Sequence, residues 1–131
     1  MPIRIVRLGS PRASDEGLRL GTVRRPPRGV PKREFAKRDF YDLWLPDLAP
    51  SAQLVSWALG ATTAKEWRQF VKRYRSEMKK PEAARLIALL AALSHQTNFS
   101  VGCYCEEETR CHRSVLRDLF READADLAGP R

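Results

Sequence analysis

The feature that most constrains the fold is a helix written into the chain between Thr63 and Met78. Thr63-Ala64-Lys65-Glu66 has the form of a capping box. In that motif the threonine hydroxyl and the glutamate carboxylate each satisfy a backbone N–H left free at a helix start. Trp67, Phe70, Val71, Tyr74 and Met78 follow, at offsets of 3, 4, 7 and 11 from the first, which is the period of one helical face. Arg68, Lys72, Arg73, Arg75 and Lys79 fill the opposite face. So sharp a division calls for an apolar layer on one side and water on the other.

The two ends of the chain supply strands for that layer. Ile3 to Leu8 is short and β-branched, and Gly9-Ser10-Pro11 stops it. Leu18 to Val23 reads as a second strand, and Asn98 to Cys105 returns to strand character. Between Arg24 and Pro31, three prolines and a glycine forbid regular structure, leaving a loop that carries Arg24, Arg25 and Arg28. Lys32 to Asp47 has no clean period, although Phe40, Leu43, Trp44 and Leu45 call for burial. Ser51 is a good N-cap for a helix with Leu54, Val55, Ala58 and Leu59 inward, ended by Gly60. Pro81 opens a further helix to Ser94. Ser114 to Glu122 is a last helix, with Val115, Leu116, Leu119 and Phe120 inward. The expected architecture is α/β: a single domain over residues 1–131, with a small, mostly parallel sheet and helices packed on its faces. The last strand is expected beside the first, and the tail, residues 123–131, is expected to fray.

A chain of 131 residues can bury one core, and its 43% hydrophobic content is ordinary for that task. No apolar run is long enough to cross a membrane, and the first residues lack the apolar stretch of a secretory signal. The expected location is therefore cytoplasmic. An odd number of cysteines, three, argues against a disulfide framework. The net charge of +8 is unevenly placed: residues 1–40 hold eleven Lys/Arg and four Asp/Glu, so 11 − 4 = +7. An anionic partner, a phosphate-bearing ligand or a nucleic acid, fits that bias. Solvated loop cations are the plainer account.

All three cysteines fall between Cys103 and Cys111. A strand ending near Cys105 and a helix capped by Thr109 or Arg110 would place Cys111 and His112 in a first helical turn. Strand-to-helix turns of this kind expose free N–H groups where open α/β sheets bind anions. Cys111 there, with Arg110 and Arg113 nearby, would be acidified, with His112 as acid or base and Cys105 as a second reactive thiol. Burial as small core residues is the alternative for each cysteine, and the favoured one for Cys103. Zinc held by Cys103, Cys105, Cys111 and His112 is a lesser alternative, because adjacent helical residues diverge by about 100°. A reversible Cys105–Cys111 disulfide ranks below it. Arg24 and Arg28, on a proline-stiffened loop, suit an anion clamp.

Several segments together carry a resemblance. They are Asp15-Glu16-Gly17-Leu18-Arg19, Pro27-Arg28-Gly29-Val30-Pro31-Lys32, Leu43 to Ser51, Phe70 to Met78, and Cys103-Tyr104-Cys105 with Arg110-Cys111-His112-Arg113-Ser114. In their order and spacing the chain resembles the YeaO-like group of a bacterial family of uncharacterised function, family 488. Relatives often carry a hydrophobic or aromatic residue before the Pro-Arg-Gly, where this chain has Pro26-Pro27. The resemblance implies an α/β fold with a pocket lined by the Pro-Arg-Gly loop and the cysteine turn, and it implies no particular reaction.

The resulting expectation is a cytoplasmic protein that binds a phosphorylated small molecule or nucleotide. Arg24, Arg28, Arg110, Arg113 and Ser114 would hold the anion, with Cys111, Cys105 and His112 for thiol chemistry. No dedicated metal and no cofactor is assigned. The alternative is a non-catalytic nucleic-acid-binding module using the basic N-terminal third.

Overall fold

The computed structural model describes residues 2–128. Four strands form one all-parallel sheet in the order β1-β4-β2-β3. They are β1 (Ile3–Arg7), β2 (Leu18–Gly21), β3 (Leu43–Trp44) and β4 (Phe99–Cys103). Among the described residues four α-helices follow β3: α1 (Ala52–Leu59), α2 (Ala64–Met78), α3 (Pro81–Leu93) and, after β4, α4 (His112–Glu122). The protein is thus α/β with a parallel sheet, and its last strand lies beside its first, Ile3 opposite Phe99 and Arg7 opposite Cys103. No helix among the described residues is long and apolar enough to cross a membrane.

The helix starts follow their capping chemistry. Thr63 accepts from the Glu66 N–H, and the Glu66 carboxylate accepts from the Thr63 N–H, so the capping box closes. Ser51 caps α1 by accepting from the Leu54 N–H at 3.2 Å. Phe70, Tyr74 and Met78 on α2 are buried, while Arg68, Lys72 and Arg73 face outward, as the periodicity requires.

The main core joins Ile3, Leu20, Phe99 and Val101 of the sheet to residues of all four helices, including Leu54, Tyr74, Ile87 and Leu116. The other face of the sheet is covered by the irregular segment before β3. Gly21 packs so closely there that a Cβ on it would lie 2.4 Å from the Tyr41 ring. Leu8, Val23, Tyr41, Cys103 and Cys111 form a second cluster with Phe35 and Phe40 against it.

Beneath this segment Arg19, wholly buried, grips Glu16 through Nε and Nη2 at 2.7 and 2.9 Å. It also donates to the Ser10 and Asp39 carbonyls. Burial works against the Glu16 charge, yet hydrogen bonds from Arg19, Ser100 and the Ala13 N–H outweigh it and lower its pKa to about 2.

Three expectations change. Leu43 and Trp44 are exposed because β3 is an edge strand, although the Trp44 indole N–H finds the Val23 carbonyl at 2.7 Å. Leu59 is 84% exposed rather than inward, since α1 ends there. The segment after α4 does not fray over residues 123–128. It docks along β1, with the Ile3 N–H to the Asp126 carbonyl at 2.7 Å and the Ala128 N–H to the Ile3 carbonyl at 2.9 Å. The remaining tail residues, 129–131, lie outside the described residues.

Candidate functional site

The carboxyl end of β4 and the start of α4 meet at the three cysteines. Cys103 closes β4 and is buried, Tyr104 is half-buried, and Cys105 is exposed. The chain then makes a 3-10 turn, Glu108–Arg110, closed by the Cys111 N–H to the Glu108 carbonyl at 3.0 Å. That turn delays the helix, so neither Thr109 nor Arg110 caps it. Cys111 is the N-cap, extended at φ −124° and ψ 152°, and its side chain makes no capping hydrogen bond. Its sulfur turns back toward Cys103 instead, and helix α4 begins at His112.

The sulfurs form a compact group of free thiols. Cys103 Sγ lies 3.8 Å from Cys105 Sγ, and Cys111 Sγ lies 3.7 Å from Nδ1 of His112. Nε2 of His112 is 2.7 Å from the Thr22 carbonyl oxygen. A carbonyl can only accept, so Nε2 carries a proton and donates it to Thr22, and Nδ1 is the ring nitrogen that faces Cys111. Thr22 is held in turn by its hydroxyl, which donates to the Gly102 carbonyl in β4 at 2.9 Å. The Tyr74 ring meets the imidazole edge-on at 5.5 Å.

Acidity is divided unequally within the group. Hydrogen bonds to Cys105 and Cys111 push the Cys103 thiol up, with burial adding to the effect. Hydrogen bonds from Cys103 first and Cys111 next, together with the Arg113 charge, hold Cys105 below the ordinary thiol range against its partial burial. Cys111 is also lowered, chiefly by its bond with Cys103 and then by His112, although Cys105 and burial oppose this.

Arg113 is buried beneath the turn at 3% exposure. Its Nη2 donates to the Cys105 carbonyl at 2.6 Å, while its Nε is buried with no partner among the described residues. Arg24 behaves alike: Nε donates to the Pro50 carbonyl at 3.0 Å and Nη2 reaches those of Pro46 and Ala49 at 3.2 and 3.3 Å. Both cations therefore sit on neutral carbonyl groups rather than on carboxylates.

A cavity of about 520 Å³ opens over the thiols. Val55, Ala58, Leu59, Trp67 and Phe70 make an apolar wall, and Arg24, Arg25 and Arg110 stand among its lining residues. Of the residues singled out from sequence, Cys105, Cys111, His112, Arg24 and Arg110 line this one cavity. Arg28 does not: it is exposed on the loop just past buried Pro27. Arg113 lies beneath the turn, and the Ser114 hydroxyl donates to the Cys111 carbonyl at 3.0 Å.

Sequence reasoning passed over Arg25, Leu59 and Trp67 as site residues. Arg25 is held by a bond from the Tyr104 hydroxyl to its carbonyl, 3.0 Å long and 79 residues distant in sequence. No local pattern announces such a pairing. Trp67 carried a legible signal, its place at the head of the α2 face, but it serves as core and cavity wall together, stacked on Phe70 at 5.1 Å.

The family model of the active DUF488-N3 subclade matches residues 3–124. No curated protein and no solved structure matches the chain. The matched span runs from β1 through α4 and takes in every residue of the cysteine turn and both arginines held on carbonyls, so the chain belongs to the DUF488 family, within its active N3 subclade.

Proposed function

We propose that the protein binds an anionic small molecule, a phosphorylated compound or nucleotide, in the cavity over the cysteine turn, and that Cys105 is the nucleophile toward it. The observation that carries the reading is positive charge without counter-charge. Among the described residues, Arg24, Arg25, Arg110 and Arg113 make no ion pair, yet all four stand at or beneath one cavity. A buried guanidinium paired only with neutral groups is costly, and a ligand phosphate or carboxylate relieves that cost. Arg113, fixed to the Cys105 carbonyl, keeps its charge next to the exposed sulfur. The apolar wall at Leu59 and Trp67 suits an uncharged or aromatic portion of the same ligand.

In a covalent step the Cys105 sulfur would form a bond to an electrophilic centre of the ligand as the bond to the leaving group breaks, the leaving group taking the electron pair. The arginines would stabilise the charge that develops. His112 acts through Cys111, because its Nδ1 faces that sulfur and its Nε2 is committed to Thr22.

Alkylation tests the reading. In metal-free reduced protein near neutral pH, iodoacetamide should modify Cys105 about tenfold faster than a free thiol or more. Inorganic phosphate or a nucleotide should slow the reaction, and Cys105→Ser should remove the fast phase. A rate equal to that of a free thiol, indifferent to anions, would reject it.

A second reading, a nucleic-acid-binding module, is favoured by a different observation. The basic run continues past Arg25 through Arg28, Lys32 and Lys37, all exposed and, among the described residues, outside any ion pair. Such binding should weaken steeply with salt as counterions are released, and no binding to DNA or RNA at low salt would remove this reading.

A further inference from the structure

We infer that Cys103, Cys111 and His112 form a binding site for a thiophilic metal ion with a filled d shell, zinc in the first instance, with Cys105 as a fourth ligand on the side facing the cavity. One ligand atom from each of the first three lies within 4.8 Å of the other two, and all three residues are buried. Tetrahedral zinc with zinc–sulfur bonds of about 2.3 Å sets neighbouring sulfurs about 3.8 Å apart. Cys103 and Cys105 are already at 3.8 Å, and Cys111 Sγ and His112 Nδ1 at 3.7 Å.

The objection from sequence was that neighbouring helical residues diverge, so Cys111 and His112 should not share an ion. It does not apply, because Cys111 is extended at the N-cap rather than helical, and its side chain turns to meet the imidazole of the next residue. The histidine is also prepared for a metal. Its Nε2–H is anchored on a backbone carbonyl, which fixes the ring and leaves Nδ1 as the donor atom, the outer-shell arrangement typical of metal-bound histidines. The ligands come from the end of β4 and the cap of α4, so little chain has to be ordered to bind.

Charge completes the case. Three thiolates and a neutral imidazole around a divalent ion leave one net negative charge. Arg113, buried without a carboxylate partner among the described residues and hydrogen-bonded to the backbone of Cys105, is in place to balance it. Sulfur donors with a single imidazole select zinc or monovalent copper over the hard cations. Cys105 is the exposed member, so its bond is the one that ligands in the cavity can reach. The metal site does not depend on the anion-binding reading, and an occupied site would shield Cys105 from alkylation.

The test uses the full chain, reduced and stripped of metal, with no anionic ligand present. Titration with zinc should saturate at one equivalent. Cobalt substituted for zinc should give sulfur-to-cobalt charge-transfer absorption with the visible bands of a tetrahedral ion, and zinc should displace it. Cys111→Ser or His112→Asn should weaken binding at least about tenfold and diminish that absorption, whereas Cys105→Ser should retain a weaker site. X-ray absorption at the zinc edge of the unmutated protein should report a mixed sulfur and nitrogen shell, a readout that does not depend on any variant folding. Substoichiometric uptake, a shell without sulfur, or unchanged binding in folded Cys111→Ser would overturn the inference. The alkylation experiment on stripped protein is separate, so either proposal can fail while the other stands.

Discussion

Arg19 and Arg113 are both buried arginines, and their partners give them opposite roles. Arg19 faces the Glu16 carboxylate, so its charge is neutralised inside the fold. Arg113 faces a carbonyl, so its charge remains available to a sulfur, a ligand or a metal-thiolate centre. The Glu16 pair makes a pH prediction. Its carboxyl is lowered from 4.5 to about 2, so the stabilisation is fully present above pH 4.5 and is lost as pH falls through 2. The loss should be on the order of 3 kcal/mol. Urea unfolding midpoints followed from neutral pH into acid should show it, and Glu16→Gln, already destabilised at neutral pH, should lack that part of the acid dependence. An identical acid profile in the variant would refute the assignment. Sequence made the cysteine cluster and its neighbouring arginines legible as a group. It could not say which arginine meets a carboxylate and which a carbonyl, because those partners arrive from distant segments.

At the scale of elements, α2 was readable from end to end because everything that sets it is local: the cap, the period and the charged face. Thr63→Ala should therefore lower stability by about 1 kcal/mol, measured by thermal or urea unfolding, with the cavity intact. The start of α4 was misplaced by one or two residues, since the 3-10 turn at Glu108–Arg110 competes with the helix for the same carbonyls. That small shift changes the chemistry, because it takes Cys111 out of the helix and lets it meet His112. The Lys32 to Asp47 segment had no period to read, because its first part covers the sheet through Phe35, Phe40 and Tyr41 rather than through an α-helix. Its anchorage can be tested at Gly21, where a Cβ would collide with the Tyr41 ring. Gly21→Ala should cost about 2 kcal/mol through overpacking and reduce the near-ultraviolet dichroism of the aromatic cluster. Unchanged stability and spectrum would show that this cover is loose.

At the scale of the whole molecule, the docked segment after α4 joins the C-terminal part of the chain to its first strand. Its bonds run from Ile3 to Asp126 and Ala128, with a further one from the Asp126 N–H to the Ser94 hydroxyl. Truncation after Ala123 should destabilise the protein by about 2 to 3 kcal/mol and raise hydrogen exchange at Ile3. A truncated chain with the full unfolding midpoint would refute that role. The sequence by itself determined the α/β class, the strand at each end, the capped helices and the clustering of the thiols, since these rest on residues near one another in the chain. Tertiary structure alone decided which arginines surround the cavity, which helix residues form its wall, and how the sulfurs and His112 converge. Those contacts bring Arg24 to the carbonyls before α1 and Thr22 to the start of α4. Contacts across such separations follow from parallel strand order and core packing, which no local spacing encodes.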